Sequence, residues 1–337
     1  MSLTIYDISQ KAGVSIATIS RVLNGSPKVK ESTKKKVMDI IEEYGYTPNS
    51  SARAMGLKSM KTIGILCADS SDIFLAKAVY YLEQNLQSNG YESLLCCTGY
   101  NLDAKKNYVD LILSKKVDGL ILVGSNFIGT TEDENQYVID SSEKVPVMIL
   151  NASFRHDNVY SILCDDMNSM YRATTSMLGS GIEDILYLYN SLSYSGRKKL
   201  DGFRMAMQGH HSPNYEELIC QVPEECSSMN AIVAYIEDFA RSHTFHGIIA
   251  SDDILGVAAV KYATSNNISI PDELSVIGYN NSILTECCTP TLTSIDNQLE
   301  IQTRSLVKTL IGVLNGREMP QKTVFSGALI KRNTTKF

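Results

Sequence analysis

From residue 62 onward the chain alternates short apolar runs with longer amphipathic stretches, and this alternation constrains the fold more than any other feature. Residues 62–68 and 119–123 are apolar and strand-like, while residues 73–89 show helical periodicity and stop before Gly90. Continuous apolar strands separated by helices indicate parallel sheets that helices cover on both faces. The pattern therefore predicts an α/β body.

The strand-like runs form two consecutive series, the second beginning near residues 160–164. Two series predict two similar lobes rather than one large sheet. We expect lobe 1 to hold about 62–160 plus about 291–320. We expect lobe 2 to hold about 161–290 plus about 321–337.

Residues 4–24 have a different pattern, with two short apolar stripes at helical spacing on either side of Gly13. Thr4 and Asp7 are spaced to cap the first helix, and Ser15 is placed to cap the second. Glycine allows the left-handed turn that ends a helix. The segment predicts a helix-turn-helix, whose second helix fits the major groove of DNA. A plain helical hairpin is the alternative.

The charge distribution separates the two parts of the chain. Residues 1–61 hold ten Lys and Arg against five Asp and Glu, a net charge of +5. The whole chain has a net charge of −6, so residues 62–337 carry −11. A basic module joined to an acidic body is typical of a protein whose small domain contacts phosphates. A third helix is predicted over 32–44, with Val37, Ile40, Ile41 and Tyr44 facing inward.

Three groups of residues resemble the lactose/galactose repressor family of bacterial transcription regulators. They are Ala-Gly-Val-Ser at 12–15 with Thr-Ile-Ser-Arg-Val-Leu-Asn-Gly at 18–25, Gly-Tyr-Thr-Pro-Asn at 45–49, and Ala-Arg at 52–53. The resemblance implies an all-α DNA-binding domain over 1–58, with a hinge helix at about 49–57. It also implies a two-lobed α/β body over 62–337, like a periplasmic binding protein, for effector binding and dimerisation.

The same resemblance implies a function. We expect a homodimeric repressor that binds a near-palindromic stretch of double-stranded operator DNA, controlled allosterically by a sugar-like or other polar metabolite. Ile16, Ala17 and Arg21 would meet base edges. Met55, where the family usually has Leu, would be wedged into a base step. The other expected DNA-contacting residues are Thr4, Tyr6, Ser15, Thr18, Ser20, Asn24, Asn49, Ala52 and Arg53.

The expected effector site follows from the rule that ligands of open α/β sheets lie beyond the carboxyl ends of the strands. The residues expected to bind the effector are Asp72, Phe74, Asn151, Arg197, Asp252 and Asn280. Asp252 is alternatively a helix cap, and Phe74 is alternatively a core residue. Asn151 and Asn280 stand where the family commonly has Asp, which weakens the expectation of a standard sugar.

Several function classes are not supported by the sequence. We find no glycine-rich phosphate loop and no nucleophile or zinc-protease motif, so we expect no enzyme, no cofactor and no metal. No run is long and apolar enough to cross a membrane, and the cysteine spacing fits a reducing cytoplasm. Two alternatives stay open: a regulator controlled by a protein partner, and a solute-binding protein without a transcriptional role.

Overall fold

The computed structural model describes residues 4–23, 26–45, 59–212 and 214–337. The chain divides into two compact units, Met1–Thr62 and Ile63–Phe337. The expected hinge helix at about 49–57 lies outside the described residues. In the ranges that are described, no helix is both long and apolar enough to span a membrane.

The N-terminal unit contains three helices, α1 (Ile5–Ala12), α2 (Ile16–Leu23) and α3 (Glu31–Glu43). The predicted capping box is present, because Thr4 N donates to Asp7 Oδ2 at 2.7 Å and Asp7 N donates to Thr4 Oγ1 at 3.4 Å. Gly13 has φ 65°, the left-handed conformation that ends α1. Thr18 N donates to Ser15 Oγ at 3.2 Å, so Ser15 begins α2 as expected.

A small apolar cluster holds these three helices together. Its fully or nearly fully buried members are Ile8, Ala12, Ile19, Val22 and Val37. The expectation that Tyr44 faces inward is wrong, since its side chain is 41 % exposed. Tyr44 follows the last residue of α3, and its ring lies under Lys11 Nζ, 4.1 Å from the ring centroid.

The body contains twelve strands and nine further helices among the residues described. The strands are β1 (Thr62–Cys67), β2 (Glu92–Cys97), β3 (Gly119–Val123), β4 (Val147–Leu150), β5 (Val159–Cys164), β6 (Ile185–Tyr189), β7 (Ile219–Gln221), β8 (Gly247–Ala250), β9 (Ser275–Tyr279), β10 (Thr293–Asp296), β11 (Lys322–Phe325) and β12 (Ala328–Ile330). The helices are α4 (Ile73–Ser88), α5 (Leu102–Ser114), α6 (Glu132–Ser142), α7 (Asp166–Gly179), α8 (Tyr194–Gly209), α9 (Met229–Ala240), α10 (Asp253–Ser265), α11 (Leu284–Cys287) and α12 (Leu299–Leu314).

The strands form two six-stranded sheets, as the alternating pattern predicts. The first has the order β11-β5-β4-β3-β1-β2, and the second has the order β12-β10-β9-β8-β6-β7. The β1–β3 register pairs Ile63 with Gly119 in parallel, whereas β12 runs antiparallel to β10 at the edge of the second sheet. In each lobe helices cover both faces of the sheet, so β3 and β8 are wholly buried.

The sheets correct the expected lobe boundaries. Residues 160–164, expected to open the second series, form β5 in the first sheet, beside β4. Residues 293–296 were placed in lobe 1 but form β10 of the second sheet, and 322–325 were placed in lobe 2 but form β11 of the first. Buried parallel strands of both sheets are equally apolar, so composition does not reveal which sheet a strand joins. The chain therefore passes between lobes three times, near residues 165, 297 and 327.

Candidate functional site

The second helix of the N-terminal unit has one buried side and one exposed side. Ile19 and Val22 are buried against the other helices, whereas Ala17 and Arg21 are exposed one turn apart. Residues four apart lie on the same face of a helix, so these two form part of one outer surface. That surface is what a recognition helix needs in order to approach base edges.

The other expected DNA-contacting residues of this unit differ in exposure. Ile16, Thr18 and Ser20 are half-buried, and Ser15 and Thr4 are exposed with their hydroxyls engaged in helix caps. Tyr6 lies on α1 and is 68 % exposed. Five further expected residues lie outside the described ranges, namely Asn24, Asn49, Ala52, Arg53 and Met55.

The body contains a cleft of about 680 Å³ between its two lobes. It is bounded by the carboxyl ends of strands from both sheets, as the rule for open α/β sheets predicts. A hydrogen bond of 2.9 Å joins Ser125 Oγ of the first lobe to Ser193 Oγ of the second. The volume is within the range of about 300–1,000 Å³ that small-molecule sites occupy.

Five of the six expected effector residues line this cleft together, namely Asp72, Phe74, Asn151, Asp252 and Asn280. Both carboxylates also cap helices: Leu75 N donates to Asp72 Oδ1 at 2.8 Å, and Leu255 N donates to Asp252 Oδ1 at 2.8 Å. The capping interpretation of Asp252 is therefore correct, and it coexists with a place in the cleft. Phe74 likewise lines the cleft while packing against the core of the first lobe.

Arg197 is the expected residue that the structure does not bring into the cleft. Its Nη1 donates instead to the carbonyl oxygen of Leu192 at 2.5 Å. Ser195 and Lys199 line the cleft from the same helix, four residues apart. Because each residue turns the helix by about 100°, Arg197 lies about 200° away from either of them. Helical spacing from Ser195, rather than residue type, was the signal that could have identified Lys199.

Lys199 belongs to a buried network beneath the cleft. Its Nζ donates to the carbonyl oxygen of Ser251 at 2.8 Å and lies 3.8 Å from the centroid of the Tyr279 ring. Ser195 Oγ and Tyr279 OH each donate to the carboxylate of Asp166, both at 2.5 Å. Burial raises the pKa of Asp166, and the charge of Lys199 opposes that shift. The network fixes the floor on which a ligand would rest.

Two polar atoms in the cleft wall are buried without a hydrogen-bond partner. They are Asn151 Oδ1, an acceptor, and Asn126 Nδ2, a donor. The backbone carbonyl of Asn126 is held by the buried Lys105, whose Nζ donates to it at 2.6 Å. A buried polar group without a partner costs about 1–3 kcal/mol. Both atoms are shielded from solvent in this conformation, so a bound molecule would reach them after a small rotation of each side-chain amide.

Acidic groups dominate the electrostatics of the cleft. Burial, followed by the charge of Asp252, raises the pKa of Asp72. Asp253 lies next to the cleft residue Asp252, and burial raises its pKa to about 6. Asp253 accepts from Ser294 Oγ and from Ser282 N, both at 2.6 Å, so it holds the second sheet to the loop after β9. Within the described ranges, no group of three or more His, Cys, Asp or Glu residues is arranged to hold a metal ion.

Both the N-terminal unit and the body match known protein families. Residues 4–49 match the lacI family of bacterial regulatory proteins, and residues 174–335 match a periplasmic-binding-protein-like domain. An HTH-type transcriptional regulator of Lachnoclostridium phytofermentans is 47 % identical over 335 residues, covering 99 % of this chain and 100 % of that protein. The HTH-type transcriptional regulator DegA of Bacillus subtilis is 30 % identical over 339 residues, covering 99 % and 98 %.

Among solved structures, a Lac repressor dimer bound to operator and the anti-inducer ONPF has the same fold, with a TM-score of 0.84 at 21 % identity over 99 % of both chains. The chain belongs to the lacI family of bacterial regulatory proteins. It is a DNA-binding transcriptional regulator with a helix-turn-helix domain and a two-lobed α/β body. Its relatives are regulators rather than enzymes, which confirms the expectation drawn from the missing catalytic motifs.

Proposed function

We propose that this regulator binds a near-palindromic operator as a homodimer and that a small polar molecule in the inter-lobe cleft controls the binding. The observation that carries the proposal is the pair of unpartnered polar atoms, Asn126 Nδ2 and Asn151 Oδ1, in the wall of a cleft of about 680 Å³. A purely structural cavity has no need of buried polar groups that lack partners.

In the DNA-bound state Arg21 donates two hydrogen bonds to a guanine, and Ile16 and Ala17 contact base edges that include thymine methyl groups. Phosphate contacts set the register of the helix in the groove. The residues proposed for these contacts are Ser15, Thr18, Ser20 and Asn24, with Tyr6 and Thr4 at the edge of the surface. In the proposed hinge helix, Met55 enters the minor groove, Ala52 lets two hinge helices approach, and Asn49 and Arg53 flank them.

The proposed dimer forms through the body. Leu94 and Leu95 of the edge strand β2 are 40 % and 44 % exposed. Neighbouring residues of a strand point to opposite faces, so an exposed leucine lies on each face of β2. An exposed apolar edge strand is an aggregation hazard unless a partner covers it. A second copy of this chain, related by a twofold axis, would cover the strand and would match the symmetry of a near-palindrome.

Control by the effector requires two states of the body. We propose that a ligand changes the angle between the lobes, which three chain crossings connect, and that the change reaches the DNA-binding unit through residues 58–62. The Ser125–Ser193 hydrogen bond crosses the cleft and would be among the contacts that the movement alters. As in its family, we expect the protein to act in the cytoplasm.

The test has two stages. Full-length protein is first used to select binding sites from random double-stranded oligonucleotides at moderate ionic strength, and its mass is measured by light scattering. A dimer that selects a near-palindrome is the expected result; a dimer without sequence preference would overturn the proposal. The selected operator is then titrated in the presence of a broad panel of metabolites, at least one of which should change its affinity.

Control by a protein partner is the second candidate. A groove of about 700 Å³ in the body is lined by apolar and polar side chains in equal number, and the apolar ones include Tyr80, Tyr81, Ile283 and Ile301. Ile283 is 66 % exposed and Tyr80 is 53 % exposed. If no metabolite changes operator affinity while a cellular protein does, control belongs to this groove rather than to the cleft.

A further inference from the structure

The side chains that line the inter-lobe cleft carry an unbalanced charge. Asp72, Glu224 and Asp252 contribute three carboxylates, and Lys199 contributes the ammonium group. In the part of the chain that the structure describes, no Arg or His side chain lines this cleft. The cleft therefore has more negative than positive charge.

The single ammonium group is not available to balance these carboxylates. Lys199 is 8 % exposed, and its Nζ is held by the carbonyl oxygen of Ser251 and by the face of the Tyr279 ring. Asp166 acts on the charge of Lys199 from the same lobe, and both carboxylate oxygens of Asp166 accept hydrogen bonds. The charge of Lys199 is thus compensated inside the second lobe.

Groups of the first lobe respond to carboxylates on both sides of the cleft. The pKa of Asp72, in the first lobe, is raised by burial and then by Asp252 of the second lobe. Burial and then Asp72, Asp69 and Glu224 raise the pKa of the Tyr100 hydroxyl in the same way. The carboxylates therefore act on one shared space rather than on separate parts of the surface.

A second observation, independent of charge, indicates the kind of hydrogen bonds that a ligand would make here. Asn151 is only 9 % exposed, and its Oδ1 has no donor. Asp252 Oδ2 receives the Asn190 amide at 2.8 Å, while Asp72 Oδ1 is used by its helix cap. The wall thus offers carboxylate oxygens together with an unused amide oxygen, so it favours a ligand rich in donors.

We infer that the ligand of this cleft is a small hydroxylated amine, such as an amino sugar, rather than a neutral or phosphorylated sugar. Its ammonium group lies between Asp72 and Asp252. After a small rotation of the two side-chain amides, hydroxyl groups donate to Asn151 Oδ1 and accept from Asn126 Nδ2. A cation relieves the repulsion between carboxylates, whereas an anion would add to it. This inference rests on the proposed function, because it names the chemistry of the same cleft.

The test compares matched sugars on the full-length protein. Glucosamine is paired with glucose and galactosamine with galactose, and N-acetylglucosamine and glucose 6-phosphate complete the panel. Unfolding temperature is measured against concentration, because a ligand that binds the folded state raises it. An amine should stabilise the body saturably while its uncharged partner does not. Equal or better binding by the neutral or phosphorylated sugars, or no response to any amine, would overturn the inference.

Isosteric variants then locate the charge. Asp72→Asn and Asp252→Asn each keep an oxygen for the helix cap, so the fold is preserved. Each should weaken binding of the responding amine by about tenfold or more, since a buried charge loses its partner. Asp110→Asn, on the exposed side of α5, is the matched control and should leave the affinity unchanged. Unchanged affinity in both cleft variants would also overturn the inference.

The two proposals fail differently. If a neutral sugar stabilises the body and changes operator affinity, the inference that the ligand is an amine is wrong, while the proposal that an effector controls DNA binding is supported. If an amine stabilises the body but never changes operator affinity, the cleft chemistry is correct and allosteric control is wrong.

Discussion

The DNA-binding unit and the cleft of the body are built in opposite ways. The exposed surface of α2 comes from one continuous segment, in which the buried and exposed residues alternate with the helical period. The cleft is assembled from segments after β1, β2, β3, β4, β6, β7, β8 and β9, which lie far apart in the chain. The first kind of site depends on local geometry, and the second depends on how two sheets are connected.

The two regions also differ in how their charges are held. Arg21 of α2 is exposed, where salt screens its charge. Lys199 and Asp166 of the cleft floor are buried, where removing either charge leaves the other uncompensated. We therefore expect substitutions in the DNA-binding unit to change recognition and substitutions beneath the cleft to change stability.

The largest effect is expected for Lys199→Met, because it leaves Asp166 buried without its cation. Removing the charge that offsets a buried carboxylate costs about 3–5 kcal/mol. Urea unfolding of the body should show this loss, and Asp166→Asn in the same chain should restore part of it. Lys198→Met is the control: Lys198 has an exposed ion pair of 3.6 Å with Asp201, and a change below about 1 kcal/mol is expected. Equal losses of stability for Lys199→Met and Lys198→Met would contradict the expected difference between a buried and an exposed charge.

Ile8→Ala should have the next largest effect and should act on the DNA-binding unit alone. Ile8 is fully buried in a core of only a few side chains, and such a truncation costs about 2–5 kcal/mol. Calorimetry of the full chain should show an early transition from the N-terminal unit with the body transition unmoved. Met38→Ala, at a 50 % exposed position of α3, should change neither transition. A shift of the body transition by Ile8→Ala would show that the two units unfold together.

Arg21→Ala should cost about 1–3 kcal/mol at one base position of the selected operator. The loss should be specific, because other base positions keep their own contacts. Fluorescence anisotropy with single-base operator variants measures it, and Arg241→Ala, on the exposed end of α9, should have no effect. If Arg21→Ala weakens every DNA sequence equally, Arg21 contacts phosphate instead of a base.

The smallest effect is expected for Gly13→Ala. Gly13 has φ 65°, and an alanine side chain there would meet no atom closer than 4.0 Å, so the cost is conformational, about 1–2 kcal/mol. Gly209→Ala, at a helical position of α8 with open space around it, should be neutral or slightly stabilising. The melting temperatures of the two units measure both effects, since Gly13 lies in the N-terminal unit and Gly209 in the body. Equal changes for the two variants would contradict a special role for the turn at Gly13.

The sequence predicted the DNA-binding unit and the alternating pattern of the body well, because both depend on local periodicity. The capping box at Thr4, the turn at Gly13 and the cap at Ser15 all follow from residue types at fixed spacing. The strand β3 was predicted to the residue, since a buried parallel strand is an uninterrupted apolar run. The assignment of β5, β10 and β11 to sheets was wrong, because that information is not local.

The cleft was predicted in part. The rule for strand ends identified Asp72, Phe74, Asn151, Asp252 and Asn280, since each directly follows a strand or begins the next helix. The rule does not distinguish between residues of one helix. Arg197 was preferred by residue type, whereas Lys199 is the residue of this helix that lines the cleft.

The sequence by itself determined the type and approximate position of the helices and strands, which residues of α2 are buried, and the resemblance to the family. These depend on interactions between residues a few positions apart. Only the tertiary structure decided which lobe each strand joins, that the charge of Lys199 acts on the buried Asp166, and that Asn126 and Asn151 line the cleft while each has a buried polar atom without a partner. Those properties arise from contacts between distant segments, for which residue spacing along the chain carries no signal.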